Sequence, residues 1–122
     1  MGIVIPIEAR SKKNSQVIAI NPKTKRPFIM PSKQFKDFEK ACKPYLPELH
    51  IDYPVNIKCL FYMGTHRKCD LTNLLEAIDD CMVTAKTIED DNFTIVAGHD
   101  GSRVLYDKEN PRIEIWITEV NS

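Results

Sequence analysis

Cys69-Asp-Leu-Thr-Asn-Leu-Leu-Glu-Ala-Ile-Asp-Asp-Cys-Met-Val-Thr-Ala-Lys-Thr-Ile-Glu-Asp-Asp-Asn-Phe-Thr-Ile-Val96 reads as one helix, a short turn, an acidic pair and the start of a strand. Projected at about 100° per residue, Leu71, Leu74, Leu75, Ile78, Cys81 and Met82 fall on one side of the helix. Asn73, Glu76 and Asp80 fall on the other, Asp70 stands beside Asn73, and Asp79 lies on the far polar flank. The apolar stripe is wide enough to seat the helix on a sheet. The opposite face then carries carboxylates, and Asp90 and Asp91 are expected to join them from the opening of the next strand.

The flanking sequence supplies that sheet. Before the helix, Val55, Ile57, Cys59 and Phe61 alternate with more polar positions over Tyr53–Met63, the period of a half-buried strand. After it, Phe93, Ile95 and Ala97 alternate, then Ile113, Ile115 and Ile117 over Pro111–Glu119, with Asp100-Gly101 marking a turn between the two strands. Towards the N-terminus, Gly2–Ile7 suits an edge strand, because Pro6 has no N–H to give a ladder. Gln16–Asn21 and Arg26–Met30 read as a hairpin. Ser32 is placed to cap a helix with Phe35, Phe38, Ala41 and Cys42 on one face, which Pro44 and Pro47 end. The order β-β-β-α-β-α-β-β is only partly interleaved. It predicts an α+β fold, a mixed β-sheet with two helices packed on one face, as a single small domain over residues 1–122.

No apolar run approaches the roughly 18 residues of a membrane span. The N-terminus lacks a cationic segment before its short apolar stretch, so no signal peptide and no membrane partner are expected, and the expected location is cytoplasmic. The four cysteines, Cys42, Cys59, Cys69 and Cys81, show no C-x-x-C spacing, which argues against zinc and for free thiols. With only four glycines there is no Gly-rich phosphate loop, and no nucleotide cofactor is expected.

Formal charge sums to zero but is unevenly spread. Residues 1–43 hold ten Lys/Arg against three acids, and residues 44–122 hold seven against fourteen, giving +7 and −7. Such a split suits a basic surface for a polyanion beside an acidic pocket, or merely two oppositely charged faces. Arg10, Lys12, Lys13, Lys23, Lys25, Arg26, Lys33, Lys36 and Lys40 form the basic part, with Arg67 and Lys68 directly before Asp70. Mg²⁺ takes oxygen ligands from a few carboxylates, with water and phosphate. Asp70 at the helix start and Asp91 a helix and a return later are candidates to share one ion. The same residues also suit a helix N-cap and a solvated turn.

Arg67-Lys-Cys-Asp70-Leu-Thr-Asn73-Leu, then Asp80, then Ile88-Glu-Asp90-Asp91, resembles the signature of the RusA family of Holliday-junction resolvases, small endodeoxyribonucleases of bacteria and phages. Pro6 followed by Ser11-Lys-Lys-Asn14, and a last strand ending Ile117-Thr-Glu119, agree with it. The resemblance implies a homodimer that hydrolyses phosphodiesters in four-way and other branched DNA, in recombination and repair, with Mg²⁺, or Mn²⁺ in its place. By position it implies Asp70 and Asp91 as catalytic acids. Metal ligands are then expected among Asp70, Asp91, Asp90 and Glu76, with Thr72, Asn73 and Asp80 in support. DNA contacts are expected from Arg10, Lys12, Lys13, Asn14, Arg67, Lys68 and Lys86. Two positions depart from the family pattern. Thr72 stands where a second aspartate is usual, and Glu76 stands where a lysine is frequent. Glu76, one turn on from Thr72, is near enough to restore the missing charge. The departures also admit two alternatives: a weakened or inactive branched-DNA-binding protein, and an α+β module that binds another protein through its acidic face.

Overall fold

The computed structural model describes residues 2–12, 16–31 and 33–120. Lys13, Asn14 and the proposed cap Ser32 therefore lie outside the described residues. The elements follow as β1 (Gly2–Ile5), β2 (Gln16–Ile20), β3 (Pro27–Pro31), α1 (Lys33–Cys42), a 3-10 turn (Lys43–Tyr45), β4 (Val55–Met63), α2 (Leu71–Thr84), β5 (Val96–Gly98), β6 (Arg103–Tyr106) and β7 (Arg112–Glu119). β2 and β3 form a separate antiparallel hairpin. The main sheet runs β1-β7-β4-β5, with β6 also paired to β4. β7 is antiparallel to β1 and β4, whereas β5 and β6 run parallel to β4, so the sheet is mixed. Parallel neighbours need a crossover, and α2 provides the one from β4 to β5.

The alternation seen in the sequence becomes one buried face. Ile3 and Ile5 of β1, Val55, Ile57, Cys59 and Phe61 of β4, and Ile113, Ile115 and Ile117 of β7 are all buried. Ile57 faces Ile117, Cys59 faces Ile115 and Phe61 faces Ile113 across the ladder. Phe35, Phe38 and Cys42 of α1 and Leu74, Leu75, Ile78, Cys81 and Met82 of α2 join them in one apolar cluster. The molecule is an α+β fold with both helices on one face of the sheet. Among the described residues, no helix is long and apolar enough to cross a membrane.

Three expectations change. The strand after α2 starts at Val96, so Asp90 and Asp91 sit in a loop and do not open a strand. Hydrogen bonding explains the delay: the Asn92 carbonyl accepts from the N–H groups of Ile95 (3.0 Å) and Val96 (2.8 Å), and its side chain accepts from Thr94 N–H (2.9 Å). Those donors close a turn and are lost to a ladder, and Phe93 is left 82% exposed. The second change is β6, whose four residues carry no alternation. It is held by register with Leu60–Met63, after a turn pinned to β4. Cys59 N–H donates to Ser102 Oγ at 2.9 Å, and Asp100 N–H donates to Asn56 Oδ1 at 2.8 Å. Gly101 adopts φ +88° there, with the Lys58 side chain 3.1 Å from where a Cβ would stand, so the turn requires glycine. The third change concerns Asp79, assigned from the helical projection to a polar flank but found buried in α2.

Candidate functional site

The acids of α2 divide between two flanks of the helix. On one, Thr72, Leu75, Glu76 and Asp79 recur at three- and four-residue spacing and therefore stand in a row. Asp91 from the following loop and His99 from the turn after β5 complete a cleft of about 260 Å³ over that row. On the other flank Asp80 accepts from Lys12 Nζ at 2.6 Å. This pair ties the N-terminal segment to α2 and holds the Lys12 pKa above its ordinary value, chiefly through that hydrogen bond. Lys12 and Asp80 thus compensate each other across a packed contact, with Lys12 Nζ also 5.6 Å from the centre of the Phe35 ring.

Asp79 is the buried acid of the cleft, at 8% exposure. Its Oδ2 lies 2.9 Å from His99 Nε2, while His99 Nδ1 lies 2.8 Å from the Ile57 carbonyl. A carbonyl only accepts, so Nδ1 carries a proton. The proton between Nε2 and Oδ2 is then shared by the pair. Burial raises the Asp79 pKa, the hydrogen bond and charge of His99 oppose the rise, and the nearby charges of Asp91 and Asp80 add to it. For His99 burial acts downward, but the hydrogen bond and charge of Asp79 and the Ile57 carbonyl outweigh it, and its pKa is raised. Asp79 Oδ1 is buried and has no hydrogen-bond partner.

In the 89–95 loop, Asp90 Oδ1 accepts from Asp91 N–H at 2.7 Å. That bond is the first cause of a lowered Asp90 pKa, followed by the Asn92 side chain. Asp90 therefore braces the loop that presents Asp91, and it does not line the cleft. Asp91 is raised, first by desolvation, then by its contact with Asp90 and the charge of Asp80. Neighbouring carboxylates that resist ionising together are a place where a cation relieves repulsion.

Asp70 stands at the N-cap of α2 in extended conformation, without a side-chain cap bond. Its Oδ2 accepts from Asn73 Nδ2 at 3.2 Å, and Asp70 is not among the residues lining the cleft. Just before α2 lies a second, basic cleft of about 370 Å³, lined among others by Arg10, Ser11, Gln34, Thr65, Arg67 and Lys68. It gathers cations from the N-terminal segment and from the β4–α2 loop, and Gly64 N–H donating to a Glu8 carboxylate oxygen at 3.0 Å joins the two segments. Lys86 does not belong to it. It follows the C-cap Ala85, roughly 20 Å along the helix from Arg67 and Lys68 at 1.5 Å per residue. Its left-handed φ of 64° closes the helix end.

The structure therefore brings together Thr72, Glu76 and Asp91, and separately Arg10, Arg67 and Lys68. Asp70, Asp90, Asn73 and Asp80 lie outside the first group. The sequence reading missed Asp79 and His99. The signal for Asp79 was the i, i+4, i+7 spacing of Thr72, Glu76 and Asp79, but nothing local linked it to a histidine 20 residues on. Among the described residues, no group of three or more His, Cys, Asp or Glu side chains is disposed to hold a metal ion. The oxygen donors of Glu76, Asp79 and Asp91, one of them orphaned, nevertheless match in kind what a hard divalent cation takes. All four cysteines are free thiols. Contact with Cys42 and then burial push the Cys81 thiol up, and burial does the same for Cys59.

What the fold and the clefts define is an α+β domain with an acidic cleft along one helix and a basic cleft before it. No protein-family model matches the chain, and no curated protein matches it.

Proposed function

We propose that the chain is a divalent-cation-dependent endodeoxyribonuclease that cuts four-way and other branched DNA, as its resemblance to RusA-family resolvases implies. The observation that carries the reading is the convergence of Glu76 and Asp91 on one cleft of α2. These residues come from the two sequence segments that the resemblance joins. Asp91 and Glu76 would hold Mg²⁺ or Mn²⁺, with Asp70 and Asp90 adjacent in sequence to the elements that present them. When bound, such an ion activates water and offsets charge on the phosphate.

The chain's own residues supply the rest. Arg10, Arg67 and Lys68 give a phosphate backbone three cations in one cleft, which provides affinity without reading sequence. The Asp90 brace fixes the direction from which Asp91 enters. A homodimer follows from the substrate: two symmetric cuts need two sites, and a twofold axis supplies them.

A second reading, a branched-DNA-binding protein that no longer cuts, is favoured by the neutral hydroxyl of Thr72 in the acidic row. Incubation of a mobile four-way junction with Mg²⁺ or Mn²⁺, comparing the wild type with Asp91→Asn, separates the two. Paired nicks by the wild type, lost in Asp91→Asn, support the nuclease. Binding without nicks supports the second reading, and no binding at low salt refutes both.

A further inference from the structure

We propose that His66, backed by Tyr106, is a stacking platform for an unpaired DNA base, set beside the basic cleft so that a strand with its phosphates in the cleft lays a base on the rings. The inference deepens the branched-DNA reading and rests on its phosphate-binding half alone. The His66 and Tyr106 rings stack with centroids 3.8 Å apart and planes inclined by 21°. Both residues are exposed, Tyr106 at 46%, so the pair is an aromatic surface in water and no part of the core. The contact occupies one face of each ring, and the exposure of both residues leaves ring surface for a third layer.

The backbone fixes where the pair sits. Tyr106 ends β6 in register with Met63, the last residue of β4, and Asp107 N–H donates to the Met63 carbonyl at 2.9 Å. From Met63 the chain enters the 64–68 loop, which the Gly64–Glu8 hydrogen bond ties down. Met63, Thr65, Arg67 and Lys68 of this stretch line the basic cleft, while His66 between them lies on Tyr106. One loop thus presents phosphate-binding cations and a ring side by side. Asp107, the acid next to Tyr106, has its charge met by Arg112 at 2.8 Å. Among the residues lining the cleft, the one acid, Glu8, faces Arg10, Arg67 and Lys68. A positively charged groove beside exposed aromatic faces is how proteins hold single strands: the phosphates give affinity and the rings take the bases, whatever the sequence. Bases inside a duplex have both faces covered by their neighbours. The platform therefore favours DNA whose bases are unstacked, as at a branch point or a single-stranded end.

The test measures binding of the full chain at low salt to an oligodeoxythymidylate of about 12 nucleotides and to an abasic strand of the same length, which keeps the phosphates and lacks the bases. The wild type should prefer the strand with bases. His66→Ala/Tyr106→Ala should lose about 5- to 100-fold on that strand, the equivalent of about 1–3 kcal/mol of stacking per base at about 1.4 kcal/mol per tenfold, and keep wild-type affinity for the abasic one. A fluorescent base analogue that dims on stacking, placed mid-strand, should be quenched by the wild type and not by the double variant. Circular dichroism checks folding. Where the double variant does not fold, His66→Trp, which keeps a ring, is compared with His66→Ala, and equal base preference in those two overturns the proposal. So does a wild type that binds neither strand or binds both equally, and so do equal losses on both strands or undiminished quenching in the folded double variant. Junction nicking without base preference would sink the platform and leave the nuclease reading standing. Ring-dependent base preference in a protein that nicks no junction would do the reverse.

Discussion

Replacing His99 with leucine in the metal-free protein tests the Asp79–His99 pair directly. The substitution leaves the Asp79 carboxylate buried with both oxygens unpaired. Removing one member of a buried ion pair costs about 3–5 kcal/mol. The two side chains retain 22% and 11% exposure, so solvent trims the loss to about 2–3 kcal/mol near pH 7. That is a large part of a typical domain stability of about 5–15 kcal/mol. The cost depends on pH, with a definite sign. Asp79 and His99 are both raised above their ordinary values of 3.8 and 6.5. The folded state therefore binds more protons over windows that open above those values, and each group's contribution, complete below its unfolded pKa, is lost as pH rises through its folded pKa. In His99→Leu, Asp79 escapes its unpaired state by keeping a proton, at about 1.4 kcal/mol per pH unit above the unfolded value. The variant should thus cost under about 1 kcal/mol near pH 4.5 and its full amount near pH 7. Urea denaturation at both pH values measures this, and Asp79→Leu/His99→Leu should be less destabilised than His99→Leu alone. A cost below about 0.5 kcal/mol near pH 7, or one that does not change with pH, would refute the pairing.

Ile115 is fully buried and paired with both Ile3 and Cys59; Ile115→Ala should cost about 2–5 kcal/mol and Ile115→Val about 0.5–1.5 kcal/mol in the same denaturation assay. Lys86→Gly relieves a left-handed residue at the end of α2 and should stabilise by about 0.5–1 kcal/mol, while leaving junction affinity unchanged by gel shift, because Lys86 is remote from the basic cleft. Arg67→Ala/Lys68→Ala should weaken junction binding and lower the slope of log affinity against log salt by about 2, one for each phosphate contact removed. An unchanged slope would show that the β4–α2 loop does not touch the backbone.

The sequence by itself determined the layers. Period-two isoleucines at 113, 115 and 117, the alternation from Val55 to Phe61 and the apolar stripe of α2 define one buried sheet face with helices on it, because burial of an amphipathic pattern has few solutions. It also put Asp70 and Asp91 forward as partners, with Glu76 entering only through the family resemblance, whereas the cleft holds Glu76 and Asp91 and leaves Asp70 outside. Only the tertiary structure decided which acids meet. A helical projection has no knowledge of what packs on a flank, so Asp79 looked solvated until the turn after β5, pinned to β4 by Asn56 and Ser102, laid His99 against it. Likewise Lys12 and Asp80, 68 residues apart, became a mutual ion pair, and the exposed Asp90 accepted from its neighbour's N–H to brace its own loop. Local propensity sets the elements, but the compensation of charge is settled by long-range register, and that is where the candidate site took its shape.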